Sequence, residues 1–124
     1  MATSGNALID STTTKVLLSQ TRTAINPNAN AAFDFALTDE GCLVKCTSAV
    51  AVTATVRLNA TVAFPVGAQI DVVQYGAGKV TIAAEGGVTI NSKGGNKACG
   101  AQYVAVSLFK IAADEWLLLG DLIA

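Results

Sequence analysis

From about Ala31 to the end of the chain, apolar and polar positions alternate with a period of two in short runs, and no helical periodicity is sustained past residue 25. Phe33-Asp34-Phe35-Ala36-Leu37 alternates and stops at the turn cluster Asp39-Glu40-Gly41. The next run, Cys42 to Cys46, sets Cys42, Val44 and Cys46 on one face. Val50 to Leu58 interleaves apolar residues with threonine and is rich in β-branched side chains, which suit a pleated surface. Phe64-Pro65-Val66-Gly67 reads as a turn, because proline supplies no donor and glycine accepts positive φ. Ala68 to Tyr75, Gly76-Ala77-Gly78 and Lys79 to Ala83 read as strand, tight loop and return strand, a hairpin. Gly86-Gly87 turns the chain into Val88-Thr89-Ile90, and the glycine-, lysine- and asparagine-rich stretch 91–100 reads as an exposed loop. Gln102 to Ile111 and Glu115 to Leu119 form a closing hairpin across Ala112-Ala113-Asp114. Strands broken by turns at about 8–12-residue spacing predict an antiparallel β-sandwich or barrel-like domain of about eight short strands.

The first two dozen residues follow another pattern. Met1 to Gly5 is small and polar; Asp10 and Ser11 offer a helix cap, but the β-branched run Thr12-Thr13-Thr14 opposes a helix there. Lys15 to Gln20 reads as a strand or an extended segment, and Pro27 between Asn26 and Asn28 as a turn. Val16, Leu17, Leu18 and Ile25 need burial. They favour an extended N-terminal arm over 1–24, docked on its own or a partner subunit ahead of a β-domain at 25–124, over the plainer alternative of a frayed terminus.

Composition narrows the class. Of the 124 residues 52% are apolar and only 14% charged, well below the roughly 25% charged of an ordinary soluble domain. Few solvated side chains imply that part of the apolar surface is covered by other chains. A net charge of −1, with basic residues scattered singly, offers no footprint for nucleic acid. There is no signal-like leader and no apolar run long enough for a membrane helix, so synthesis in the cytoplasm and no membrane partner are expected.

Catalytic chemistry finds little to work with. The chain has no histidine, which excludes Ser-His-Asp, Cys-His and histidine-metal arrangements. Cys42, Cys46 and Cys99 contain no C-x-x-C pair and read as small buried hydrophobes, the alternative being a Cys42–Cys99 or Cys46–Cys99 disulfide. Asp39-Glu40 and Asp114-Glu115 sit at turns and read as solvated carboxylates, with a weak cation site as the sharper alternative. Asp71 shares a face with Val73 and Tyr75, either the outward face or a hydrogen-bonded position at a subunit contact. Gly76-x-Gly78 fails as a phosphate loop because strands flank it. Trp116 reads as a core anchor, an interface anchor or, least well supported, a carbohydrate platform. No catalytic, cofactor or metal residue is assigned; Val16, Leu17, Leu18, Ile25 and Trp116 are the candidate partner or self-interface residues.

The run from Phe64-Pro65-Val66-Gly67 through Gln74-Tyr75-Gly76-Ala77-Gly78-Lys79-Val80-Thr81 to Gly87-Val88-Thr89-Ile90-Asn91-Ser92, and the ending Asp114-Glu115-Trp116 with Gly120-Asp121-Leu122, resemble a small β-domain recurrent in structural proteins of tailed bacteriophages. The resemblance covers roughly residues 30–122. The cysteine-containing strand at 42–46 and Asn96-Lys97-Ala98-Cys99 depart from that pattern. No catalytic residue carries over. The resemblance implies a virion component, and the short segment before the domain favours a capsid decoration (cement) protein on the capsid surface over the alternative, a tail or fibre-associated module for host receptor attachment. The implied partners are the major capsid protein and further copies of the chain, as a homotrimer.

Overall fold

The computed structural model describes residues 23–124, and within them the chain winds between two facing sheets. β1 (Ala24–Asn28), β3 (Cys42–Cys46) and β5 (Gln69–Gln74) lie side by side in one sheet; β2 (Ala32–Asp34), β4 (Val52–Val56) and β6 (Val80–Ala84) lie side by side in the other. Each strand therefore crosses to the opposite sheet before the next begins, and neighbours within a sheet run parallel. β7 (Thr89–Ser92) takes the far edge of the first sheet, and β8 (Ala98–Cys99) pairs antiparallel with β6 in the second. β9 (Ala105–Ala112) and β10 (Glu115–Gly120) form an antiparallel hairpin that fills the first sheet between β5 and β7, and β11 (Leu122–Ile123) closes on β8.

The sandwich reading holds in its coarse form, two β-sheets around one core. The antiparallel and barrel forms do not: the described residues form eleven strands, both sheets are mixed, and neither closes into a barrel. Alternation with period two is common to parallel and antiparallel strands, so it left direction open. The stretch Gly76-Ala77-Gly78 is accordingly not a hairpin. It carries the chain from β5 in one sheet to β6 in the other, laid on the equivalent crossing between β3 and β4. In this turn Leu43 pairs with Asp71 and Val52 with Val80, one offset of 28 residues in both sheets, whereas the turn before it pairs Ala24 with Cys42 and Ala32 with Thr53, offsets of 18 and 21.

The same stacking explains the glycines. A Cβ on Gly76 or Gly78 would run into the backbone carbonyls of Ser48 and Val50 in the crossing beneath. Tyr75 and Gly76 donate their N–H groups to the Cys46 carbonyl, and Gly78 donates to that of Ser48. Ser48 secures its own crossing, its hydroxyl donating to the Val50 carbonyl at 2.9 Å and accepting the Val50 N–H at 3.1 Å. Pro27 is a second correction: Asn26-Pro27-Asn28 is strand, not turn, which its place on an edge strand permits. The proposed arm, with Val16, Leu17 and Leu18, lies outside the described residues.

Inward residues of both sheets meet in one core, including Val44, Ile70, Val72, Leu108, Trp116 and Leu118 from the first sheet and Val52, Ala54, Val80 and Ile82 from the second. Trp116 is 2% exposed and packs edge-to-face on Phe64, ring centres 5.4 Å apart. All three cysteines are buried and free. Lys110 is the charged exception, 2% exposed because it follows Val106 and Leu108 on the inward side of β9. Its ammonium donates to the Phe64 carbonyl at 2.7 Å and to Asn59 Oδ1 at 2.5 Å, and the Asn59 N–H in turn donates to Asp114 Oδ1 at 2.8 Å. These bonds hold the long connection between β4 and β5 against the β9–β10 hairpin.

Candidate interaction surface

Pairing register defines the two outer faces, and they differ in kind. On the second sheet, Ala32, Thr53 and Thr81 form one outward row, and Asp34, Thr55 and Ala83 the next. This face is small and polar, and its one strong feature is an ion triad: Arg57 Nη1 lies 2.7 Å from Asp34, and Nε 2.8 Å from Glu85. Arg57 and Glu85 are themselves related by the 28-residue offset, so the triad runs across successive turns of the chain.

The outer face of the six-stranded sheet carries apolar side chains in every row, with polar ones between them. Ile25, Leu43, Asp71, Ser107 and Leu119 stand side by side in the first row. Pro27, Lys45, Val73 and Ala105 make the second, and Gln69, Phe109, Leu117 and Asn91 the third. Ile25 is 53% and Leu119 47% exposed, whereas Leu43, Val73, Phe109 and Leu117 are half-buried by their neighbours. Asp71, the carboxylate in this field, accepts the Ser107 hydroxyl at 2.7 Å and the Gln69 amide at 3.0 Å. It therefore faces outward with its charge already hydrogen-bonded, combining features of both sequence readings.

At one end of this face stands an aromatic pair. The Tyr75 and Tyr103 rings meet edge-to-face with centres 5.4 Å apart, and Lys45 Nζ lies 4.2 Å from the centre of the Tyr75 ring. Tyr103 is 67% exposed and adopts φ of 69°, the left-handed conformation that a bulky side chain rarely takes. Its N–H donates to the Gln74 carbonyl and the Gln102 amide donates to that of Tyr75, so the turn before β9 is tied to the end of β5. Backbone strain of this kind clusters at sites of function.

Of the residues singled out from the sequence, Ile25 lies on this face and Trp116 lies in the core beneath it. Parity already sets Val73 and Tyr75 on the face of Asp71; Leu43, Phe109 and Tyr103 join them only through the pairing order of several strands, which the sequence does not carry. The cysteines form no site: burial, reinforced by Cys99 and then Asp39, pushes the Cys46 thiol up to about 11, and burial does the same for Cys99. Among the described residues no three cysteine, aspartate or glutamate side chains converge to hold a metal, and no helix is long and apolar enough to cross a membrane. No family model and no curated protein matches the chain.

Proposed function

We propose that the protein is a virion structural component of a tailed phage, a capsid decoration protein that binds the major capsid protein through the outer face of its six-stranded sheet. The observation that carries this reading is the asymmetry of the two faces: one small and threonine-rich, the other with large apolar side chains in its rows and ended by exposed tyrosines. Interfaces combine such a desolvated apolar centre with aromatic anchors and a thin polar rim. The likeness of residues 30–122 to phage β-domains supplies the particle. The work done is thermodynamic, not catalytic. Each copy that bridges shell subunits removes apolar area from water at about 25 cal/mol per Å², and linkage makes that binding energy a stabilisation of the assembled shell. A homotrimer would place three such faces around one local symmetry axis.

The test is reconstitution. Purified protein is mixed with capsids lacking it, and bound copies are counted by quantitative mass spectrometry. The expected result is many copies per shell, with Val73→Glu reducing occupancy at least tenfold at equal concentration. A few copies per particle, or full occupancy by the Val73→Glu protein, overturns the reading.

A further inference from the structure

We propose that Lys110 and Asn59 become covalently joined by an intramolecular isopeptide bond, formed with loss of ammonia, which ties the β4–β5 connection to the β9–β10 hairpin. The inference is independent of the proposed function.

Three features of the core converge on it. The reactants are in contact: Lys110 Nζ lies 2.5 Å from Asn59 Oδ1, although 51 positions separate the two residues. Rotation about the lysine Cδ–Cε bond moves the nitrogen from the carbonyl oxygen towards the face of Cγ. Amides resist aminolysis in water, but two groups held in attack geometry gain an effective concentration on the order of 10⁵ M or more.

The surroundings keep competing water away. Lys110 is 2% exposed, its amine is covered by Phe64 and stands 6.0 Å from the Trp116 ring centre, and no carboxylate of the described residues lies within ion-pair distance of it. Both of its hydrogen-bond partners are neutral carbonyl oxygens. A core lysine bound in this way carries none of the opposite charge that normally accompanies buried ammonium groups.

A carboxylate holds the backbone of the reacting residue. Asp114 Oδ1 accepts the backbone N–H of Asn59 at 2.8 Å, so a carboxylate is fixed beside the same asparagine whose amide reacts. The Lys110 ammonium first releases a proton. The free amine adds to Cγ, its second proton passes to Nδ2 within the tetrahedral intermediate, and the Cγ–Nδ2 bond breaks. The released ammonia takes up the first proton as ammonium. One ammonium and one carboxamide become one secondary amide and one ammonium ion, with no change of oxidation state and no co-reactant.

The experiment is intact-mass measurement of the purified full chain in denaturant, followed by tryptic mapping. The expected chain is lighter than its sequence by one ammonia. Trypsin fails to cut after the acylated Lys110, and peptide 58–79 is recovered joined to 98–124. The Lys110→Arg protein keeps a cation and its donors but lacks the nucleophile, and is expected at its full sequence mass. A wild-type chain at full mass that trypsin cuts after Lys110 overturns the proposal. So does an ammonia loss confined to a single unlinked peptide.

Discussion

Gly78 lies against Val50 so closely that a Cβ would strike the Val50 carbonyl, and its N–H donates to the Ser48 carbonyl at 3.0 Å. The two residues hold equivalent places in successive crossings between the sheets. Their contact is what allows one turn of the chain to rest on the next.

Replacing Gly78 with alanine should therefore push the crossings apart and destabilise the fold by about 3 kcal/mol, in the range for overpacking a closed site. Gly86 has open space around its Cα, and Gly86→Ala should change stability by no more than about 0.5 kcal/mol. Urea unfolding of the two proteins side by side checks the pair. Equal midpoints would mean that the crossings are not stacked as described.

How much of this was visible beforehand varies by element. The β9–β10 hairpin was legible because Ala112-Ala113-Asp114 interrupts two clear alternating runs, and the shared face of Asp71, Val73 and Tyr75 followed from parity. The winding was not legible from alternation, since Gly76-Ala77-Gly78 fits a hairpin as well as a crossing. A signal did exist: Val44, Val52 and Thr53 recur 28 positions later as Val72, Val80 and Thr81. The inward turn of Lys110 was equally open to parity with Val106 and Leu108. The left-handed backbone of Tyr103 and the rows of the outer face depend on register between distant strands, which no local pattern carries.

Tyr103 offers a separation of stability from binding. Asparagine tolerates the left-handed conformation, so Tyr103→Asn relieves strain while losing one exposed aromatic contact, two effects of about 1 kcal/mol and opposite sign. Unfolding free energy should change by less than about 1 kcal/mol. Occupancy on capsids should nevertheless fall at least tenfold, as for an aromatic anchor. Unchanged occupancy in the reconstitution assay would remove Tyr103 from the interface.

The ion triad makes stability acid-sensitive. The Arg57 hydrogen bond, joined by the Leu58 N–H, holds the Glu85 carboxyl below its ordinary 4.5. A carboxyl with a depressed value supports the fold above its unfolded value, and that support is lost as pH falls below about 4.5. In Arg57→Met the larger part of this component should be lost, leaving only that of the Leu58 N–H, so the urea midpoints of the two proteins should draw together on acidification. Parallel pH profiles would show that the triad carries no linkage.

The buried thiols act at the other end of the scale. Cys46 and Cys99 stay protonated in the fold up to about 11, whereas unfolded thiols ionise near 9.0. The unfolded chain thus gives up protons first, and stability present below pH 9.0 is expected to fall as pH rises towards 11. The same burial should slow the reaction of both thiols with a disulfide reagent by about a hundredfold or more in the native protein relative to urea. Rapid native labelling of either, located by peptide mapping, would contradict their burial.

The common offset of 28 residues also has a kinetic meaning. Loop-closure entropy depends on the logarithm of loop length, so pairing β5 on β3 costs the same to close as pairing β6 on β4. A turn gains its pairing only where the preceding one already presents an edge, so winding proceeds in sequence, whereas β9–β10 can form locally. Refolding dominated by such non-local pairings belongs in the range of about milliseconds to seconds. Slippage is costly as well, because moving one turn by a single residue would turn Val72 and Val80 towards water together and leave the glycine crossing without its seat.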